Sequence, residues 1–486
     1  MEEIYVFDIG TNNTVCSVYC VKSGVGKVLP NAEGKDHTPS AVIVGPTPQT
    51  SLVGRRALER AMLDSGVLSF KSYLNQGDVI TTKEGVTCNI KEVLLAFFYH
   101  LKETYDVGNN KVILCYPSYF SEDFNNEREN MLIDAATRAG LNVWGTVEEP
   151  VAAAFGYIDF DKMTDQPTYY RVVDCGAGTY DIAIIEVSKK QLRVIKTFGD
   201  LIGGDNLDYA LMDECVSQLK QQGANVLDDM LSMQRLRTVV EECKVAFSTI
   251  AYKKNDNYDL DFYVDKYHKH FTLSISKQKY YDKICKNLWS QMAQLLNNVD
   301  NFEREKGINI DTHLLVGGTH CESYFVEEYK KRYQNHSGTI TPFLQRQAVA
   351  SGGAVYAYML ATNDPRVKMT VGIRTKISKN EYCIHNYIFK DQDLFSSQTF
   401  TVYTDYFNQE RIALKIYASN ALEEKIVEGA GKHIATYYID IDESLRARSP
   451  IRVTFRMRAP GLLELRAVAV ESDQRLKETV DLRKTV

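Results

Sequence analysis

The sequence lacks the features that mark membrane and secreted proteins. No apolar run approaches the roughly 18 residues of a membrane span, and the first predicted strand begins too early to leave room for a signal peptide. The ten cysteines are scattered and include no Cys-x-x-Cys pair, so we expect reduced thiols, with neither disulfides nor a zinc site. We therefore predict a cytoplasmic protein with no membrane partner.

Basic charge is not in excess either. The 57 Lys and Arg residues are outnumbered by 63 Asp and Glu residues, which gives a formal net charge of −6. This balance, without a basic stripe, argues against direct, sequence-specific binding of nucleic acid. The apolar content of 44% and charged content of 25% are typical of a globular protein, and 486 residues predict two or three domains.

The sequence does contain a turn of small residues between two apolar strands, RVVDCGAGTYDIAIIEV at residues 171–187. The turn consists of Gly176, Ala177, Gly178 and Thr179. Such small residues would let backbone N–H groups approach an anion closely. Asp174 next to a phosphate would require a bridging cation, and Mg²⁺ is the usual one. The pattern indicates a Mg²⁺-nucleotide site, although an ordinary hairpin with a glycine turn would look the same.

A second copy of this layout lies at the start of the chain, IYVFDIGTNNTVCSVY at residues 4–19. It again has a strand that ends near an aspartate, Asp8, then a small polar turn and another strand. The turn consists of Gly10, Thr11, Asn12 and Asn13. Two copies predict two equivalent lobes, each of which offers a phosphate-binding turn to a shared cleft.

Two further glycine pairs fit the same cleft. Gly203 and Gly204, followed by Asp205, open a predicted helix, and a helix N-terminus with glycines is suited to phosphate. A strand ending at Val316 leads into Gly317, Gly318 and Thr319.

Three sets of charged or polar residues complete the candidate site. Lys71 stands alone among apolar neighbours, where it could position water against a phosphate or reach out to solvent. Glu149 ends a predicted strand, where it could orient water or cap the following helix. Glu241, Lys244 and Ser248 share one helix face, which could be a wall for ribose and adenine or an ordinary solvated face.

Hydrophobic periodicity predicts helices followed by strands. The predicted helices are residues 54–64, 90–105, 122–139, 151–157, 234–247, 277–301 and 347–360. Beyond residue 365 short alternating strands take over, at residues 400–403, 412–417, 436–439, 451–455 and 463–469, and they predict a compact β-sandwich.

Taken together in order, these segments resemble the 70-kDa heat-shock protein (Hsp70) chaperone family over nearly the whole chain. The residues that carry the resemblance are Asp8-Ile-Gly-Thr-Asn12, Thr38-Pro-Ser40, Ala139-Gly-Leu-Asn-Val143, Glu149-Pro-Val-Ala-Ala-Ala154, Asp174-Cys-Gly-Ala-Gly-Thr-Tyr-Asp181, Leu315-Val-Gly-Gly-Thr319 and Ser397-Gln-Thr-Phe-Thr-Val-Tyr403.

The resemblance implies an α/β fold with a two-lobed, actin/hexokinase-like nucleotide-binding domain at residues 1–364. A short linker at 365–372 and a small β-sandwich, substrate-binding-like domain at 373–486 would follow. It implies ATP or ADP with Mg²⁺, which Asp8 and Asp174 would hold through water, and Lys71, Glu149 and Thr179 as the catalytic residues. The implied ATP-binding residues are Gly10, Thr11, Asn12, Asn13, Gly176, Ala177, Gly178, Thr179, Gly203, Gly204, Asp205, Glu241, Lys244, Ser248, Gly317, Gly318 and Thr319.

The sequence departs from the family at the adenine. Val245 and Cys321 stand where the family usually has two arginines that sandwich the base, so the stacking of guanidinium groups on it is lost. We expect nucleotide affinity to be weaker by roughly 1–2 kcal/mol. Asn12, Ala177 and Arg346 also replace the family's usual Thr, Gly and acidic residue.

A second group of departures concerns the coupling between domains. The join at residues 364–372 lacks the family's leucine-rich linker, and Asn125 replaces a family arginine that works with Pro117. The sequence ends at Val486, so we expect no α-helical lid. These departures resemble those of the Hsp70-type subunit of the ribosome-associated complex, which is paired with a J-protein.

Three functions are compatible with these features. The first is an ATP-binding, weakly or non-hydrolysing subunit that forms a stable heterodimer with a J-domain protein and acts on nascent chains at the ribosome. The second is an autonomous ATP-hydrolysing chaperone that binds unfolded peptide and cycles without a lid. The third is a small-metabolite kinase of the same fold, against which the predicted β-sandwich and the Glu149-Pro150 match argue.

Overall fold

The computed structural model divides the chain into two compact units, Met1–Tyr358 and Met359–Val486. It describes residues 3–23, 25–61, 64–74, 77–82, 85–118, 120, 127–158, 164, 166–188, 191–249, 253, 255–343, 346–362, 369–378, 381–390, 392, 397–404, 409–445, 449–459 and 462–482. The predicted domain boundary after residue 364, most of the predicted linker and Asn125 lie outside these residues, so those interpretations stay predictions.

The first unit contains a mixed sheet at its N-terminus, which we call the first sheet. Its strand order is Asn142–Glu148, Lys111–Tyr116, Glu3–Ile9, Asn13–Cys20 and Val25–Leu29, and Thr38–Pro39 also pairs with Asn13–Cys20. The strands from Glu3 to Leu29 form an antiparallel meander, whereas Glu3–Ile9, Lys111–Tyr116 and Asn142–Glu148 run parallel. The carboxyl ends of those parallel strands therefore meet at one edge.

The second sheet of this unit repeats the arrangement of the first. Its order is Thr339–Pro342, Thr312–Val316, Thr168–Cys175, Tyr180–Ser188 and Gln191–Asp200. It again joins an antiparallel meander to two further parallel strands. Asp8 and Asp174 each stand one residue before the end of the first meander strand. The predicted pair of equivalent lobes is thus seen in the strand order.

Helices pack around both sheets. The α-helices of this unit are Arg55–Leu58, Ile90–Thr104, Glu127–Arg138, Glu149–Tyr157, Gly204–Gln221, Met230–Phe247, Lys277–Lys279, Lys286–Lys306, Ser323–Arg332 and Ala348–Thr362, with a π-helix at Tyr280–Cys285 and 3₁₀ turns at Pro48–Thr50, Phe70–Tyr73, Asp265–Tyr267 and Gly318–Cys321. Among the described residues no helix combines the length and apolar character that crossing a membrane requires.

One predicted helix is much shorter in the structure. Residues 54–64 were expected to be helical, but the α-helix covers only Arg55–Leu58. Hydrogen-bonded turns follow it, and the chain then returns as the strand Val67–Leu68 to pair with Ala41–Ile43. The short periodic pattern predicted the start of this helix. It did not predict that the chain would leave the helix and form the strand Val67–Leu68.

The remaining short strands form three small sheets. Leu52–Val53, Ala41–Ile43 and Val67–Leu68 form one, Val79–Thr81 pairs with Thr87–Asn89, and Asn257–Val264 pairs with Lys269–Ser276.

Each large sheet has its own hydrophobic core. Phe7, Phe97 and Phe98 belong to the core of the first sheet, and Ile182, Leu236 and Phe325 belong to that of the second. All ten cysteines are free and most are buried, as is typical of small apolar side chains.

The second unit consists of two antiparallel sheets. One has the order Lys425–Val427, Glu381–Ile388, Thr370–Ser378, Gln409–Ser419 and Lys432–Leu445, and the other has the order Ser397–Tyr403, Pro450–Ala459, Leu462–Ala469 and Arg475–Asp481. Each of the five strands that periodicity predicted lies within one of these strands. After Thr362 the described residues have 3₁₀ conformation at Glu428–Ala430 and at Leu482.

Candidate nucleotide site

The two equivalent strand ends place their aspartates in a common cluster. Asp8 lies opposite Cys115 of the parallel neighbour strand, and Asp174 lies opposite Val316 of its own neighbour. The turn after each aspartate closes on itself, with Gly10 N–H donating to Asp8 O and Gly176 N–H donating to Thr179 O, each at 3.0 Å. The strands therefore fix where both carboxylates and both turns lie.

Lys71 and Glu149 form a buried ion pair beside these aspartates. Lys71 lies in the 3₁₀ turn Phe70–Tyr73 and is only 2% exposed, so the alternative that it reaches out to solvent is wrong. Its ammonium group donates to the carboxylate of Glu149, the first residue of the helix Glu149–Tyr157. A buried ammonium requires such a partner, because an unpaired charge is costly to remove from water.

Negative charge exceeds positive charge in this cluster. Burial, followed by the charge of Glu149, raises the pKa of Asp174 to about 7 and that of Asp8 well above its ordinary range. The pKa of Asp181 is raised well above its ordinary value by the same causes. Burial works against the charged form of Lys71, but Glu149 and Asp8 outweigh it and raise the pKa of the ammonium. Four carboxyl groups around one ammonium fit a site that takes up an additional cation.

These residues fit hydrated Mg²⁺ better than a bare metal ion. Among the described residues, no three His, Cys, Asp or Glu side chains are arranged to hold an ion directly. Mg²⁺ gives up its water reluctantly and is commonly bound through one or two carboxylates together with phosphate oxygens. Asp8 and Asp174, at the edge of an open cleft, provide such carboxylates.

The cluster lies at one end of a cleft of about 380 Å³. Most of the predicted residues line this cleft: Asp8, Gly10, Thr11, Asn12, Asn13, Lys71, Glu149, Asp174, Gly176, Ala177, Thr179, Gly204, Glu241, Lys244, Ser248, Gly317, Gly318 and Thr319. The structure thus brings together turns from both lobes and the face of the helix Met230–Phe247. We name two parts of the cleft after the ligand groups that the sequence analysis predicts for them: the phosphate end is the part around Asp8, Lys71 and Asp174, and the base end is the part around Val245, Ser248 and Cys321.

Three predicted residues lie next to the cleft without lining it. A Cβ atom on Gly178 would lie 2.7 Å from Thr11 Cγ2, and one on Gly203 would collide with the Ala177 backbone. Both glycines therefore allow two turns to pack closely. The Asp205 carboxylate accepts from the side-chain amide of Asn12. Their roles in nucleotide binding stay predictions.

The contact between Asn12 and Asp205 joins the two lobes across the cleft. The carbonyl oxygen of the same Asn12 side chain accepts from the Ser69 hydroxyl, so both ends of the amide are hydrogen-bonded. Gln234 makes a second connection between lobes by donating to the Leu58 carbonyl at 3.1 Å. Side-chain hydrogen bonds therefore join the two lobes at two places.

Sequence reasoning missed several residues that line the cleft. They include Asp36, His37, Leu58, Ser69, Asp208, Arg237 and Glu322. Helical spacing could have indicated two of them, because Arg237 precedes Glu241 by four residues and Asp208 follows Gly204 by four. Of the others, Leu58 is the last residue of the short helix Arg55–Leu58, and the rest come from loops and turns that carry no local signal.

Val245 and Cys321, two of the positions where the sequence departs from the resemblance, lie at the base end, whereas Asn12 and Ala177 lie in the turns of the phosphate end. Val245 is 44% exposed. Lys244 is held in an ion pair with Asp208, with 2.6 Å between Nζ and Oδ1. Arg346 also lines the cleft, and its Cγ lies 4.0 Å from where a Cβ on Gly318 would be.

Comparison with known proteins agrees with this geometry. The sequence model of the Hsp70 protein family matches residues 75–486, which is well over half of the chain. The chain is also 26% identical, over 526 aligned positions, to the chaperone protein DnaK of Psychrobacter cryohalolentis, in an alignment that covers 96% of this chain and 75% of that protein. The repeated sheets, the shared cleft and these matches agree, and the chain belongs to the Hsp70 family.

Proposed function

We propose that this protein is an ATP-binding chaperone or co-chaperone that acts in protein folding. The observation that carries the proposal is the convergence of both strand-end turns on one cleft, with the Lys71–Glu149 pair between Asp8 and Asp174. Backbone N–H groups in such turns bind phosphate, and excess carboxyl groups suit a cation that accompanies it. The family supports ATP or ADP with Mg²⁺ as the ligand.

Residues in different parts of the cleft would have different roles. Asp8 and Asp174 would hold hydrated Mg²⁺, which supplies positive charge next to the phosphates. Lys71, Glu149 and Thr179 would position a water molecule and stabilise negative charge on the transferring group. Glu241, Lys244, Ser248 and the turn Gly318–Cys321 would hold the nucleoside.

We propose further that hydrolysis is weak or absent and that the protein is a lidless subunit paired with a J-domain protein. The base end supports this, because Val245 and Cys321 offer no guanidinium to stack on a base. Such a subunit would act on nascent polypeptides at the ribosome, in the cytoplasm. Residues 1–364 would form the nucleotide-binding domain, 365–372 the linker and 373–486 a β-sandwich substrate-binding-like domain.

One observation favours a second candidate, an autonomous ATP-hydrolysing chaperone. Lys71 and Glu149 are both present and in contact, and Thr179 lines the same cleft, so the residues needed to position water lie together. A single-turnover ATPase assay, with and without a J-domain, separates the two candidates.

Tight retention of ATP without turnover supports the paired subunit. Hydrolysis that a J-domain stimulates and that Lys71→Ala abolishes supports the autonomous chaperone. Lys91→Ala is the matched control, because Lys91 pairs with Asp78 on the surface outside the cleft. Failure to bind ATP at all would contradict both candidates, and a phosphorylated sugar product would indicate a kinase.

The proposed partners require a separate experiment. The native protein would be followed through sucrose-gradient sedimentation of a cell lysate, with and without nuclease treatment of polysomes. We expect it to sediment with ribosomes together with a J-domain protein. Migration only as a free protein would contradict the ribosomal role and leave the ATP site unaffected.

A further inference from the structure

Glu322 is a buried carboxyl group at the base end of the cleft. It directly follows the 3₁₀ turn Gly318–Cys321, precedes the helix Ser323–Arg332, and is 4% exposed. It lines the cleft together with Val245, Ser248 and Cys321. Val245 and Cys321 are apolar, so Glu322 adds a carboxyl group next to them.

The two oxygens of this carboxyl group have different surroundings. Oε1 accepts from the Tyr281 hydroxyl at 2.7 Å and, at 3.5 Å, from the backbone N–H of Tyr324. Oε2 is buried and has no hydrogen-bond partner among the described residues. A buried acceptor without a partner costs free energy. A ligand that donates a hydrogen bond to Oε2 would offset this cost.

Tyr281 fixes the direction of the carboxyl group. It belongs to the π-helix Tyr280–Cys285, and its ring packs at 5.2 Å against that of Tyr324. Single turns of π-helix occur frequently at functional sites because they re-aim side chains that a regular α-helix would point elsewhere. Here the π-helix brings a hydroxyl to Oε1 and leaves Oε2 without a donor.

Capping the helix Ser323–Arg332 does not account for this arrangement. The capping contact between Oε1 and the Tyr324 N–H is long, at 3.5 Å. Glu is also not among the residues preferred at an N-cap, which are Ser, Thr, Asp and Asn. The capping role therefore explains neither the choice of residue nor the second oxygen.

We propose that Glu322 recognises the purine base: its Oε2 accepts a hydrogen bond from the exocyclic amino group of the base. The inference rests on the proposed ATP site and names the part of the nucleotide that this residue recognises. An amino group is a donor, as Oε2 requires, whereas a ring nitrogen without hydrogen offers only a lone pair and would be repelled. Glu322 thus supplies selectivity at the end of the cleft that lacks stacking arginines.

The test compares ATP with purine riboside 5′-triphosphate, which has the same sugar and phosphates but no exocyclic amino group. Isothermal titration calorimetry on the full chain with Mg²⁺ would give both affinities. We expect the protein to bind ATP about ten-fold more tightly, as one hydrogen bond to a charged group allows. Equal affinities would overturn the inference while leaving the ATP site intact, and no binding of either nucleotide would overturn the proposed function.

Two substitutions test whether the Glu322 side chain causes the preference for ATP over the analogue. Glu322→Leu removes the acceptor and should bring the two affinities together, whereas Glu322→Gln keeps an acceptor oxygen and should retain part of the preference. Glu327→Leu, at an exposed position of the same helix, is the control and should keep the full preference. A full preference in Glu322→Leu would contradict the proposal.

Tyr281→Phe gives an independent measurement that does not alter the carboxyl group. Without the hydroxyl, Oε1 loses its partner at 2.7 Å and the direction of Oε2 is no longer fixed. We expect the preference for ATP to fall several-fold, with a smaller effect on the affinity for the analogue that lacks the amino group. An equal loss of affinity for both nucleotides would indicate a merely structural role.

Discussion

The two ends of the cleft are built in different ways. The phosphate end consists of strand ends, backbone turns and a buried ion pair, all continuous with the two sheets. The base end consists of side chains on the face of a helix and on one short turn, and its Val245 is 44% exposed. The difference teaches that a substitution costs more folding free energy where the site is part of the core than where it lies on the surface.

The largest expected effect is at the phosphate end. Lys71→Met should lower the free energy of unfolding by about 3–5 kcal/mol, because it leaves the buried carboxylate of Glu149 without a partner. Urea denaturation without nucleotide measures this. The double variant Lys71→Met with Glu149→Gln should recover part of the loss, and an unchanged midpoint in the single variant would contradict the contrast between the two ends.

An intermediate effect is expected from His320, the buried residue in the turn of the base end. Burial lowers its pKa to about 4, although its hydrogen bond with the Val316 carbonyl opposes the shift. The unfolded chain, with an ordinary pKa of about 6.5, therefore binds more protons between these values, and stability is lost as the pH falls through that window.

Between pH 7 and pH 5 this contribution amounts to about 2 kcal/mol. Urea unfolding of wild type and His320→Asn at both pH values isolates it, since Asn retains a donor for the carbonyl but does not titrate. The variant should lose less stability than wild type on acidification. The same loss in both proteins would show that this turn is not held by a neutral histidine.

The smallest effect is a gain at the base end. Val245→Arg should strengthen ATP binding by about 1–2 kcal/mol, because the exposed position leaves room for a guanidinium to stack on the base. Calorimetric titration with ATP measures the gain, and Val245→Leu controls for added bulk without charge. If Val245→Arg binds no better than Val245→Leu, the base end is not an open surface of the kind described above.

Much of the phosphate end could be predicted from the sequence. Asp8 and Asp174 are recognisable because each stands at the end of an apolar strand and before a small turn, and this pattern is local. The presence of Asp36 and His37 in the cleft could not be predicted, because nothing in the sequence of their loop shows that it reaches the cleft. Glu322 was missed for a related reason, since nothing local shows that one of its oxygens lacks a partner.

The sequence by itself determined the repeated strand and turn pattern, the helices of clear period and the change to short strands after residue 365. Local spacing encodes all of these, since strand and helix periods act over a few residues. Only the tertiary structure decided that Lys71 is buried against Glu149, that Asn12 joins the lobes through Asp205, and that Tyr281 holds one oxygen of Glu322. Each of these contacts joins segments far apart in the chain, and burial, which only the folded chain creates, gives them their energetic weight.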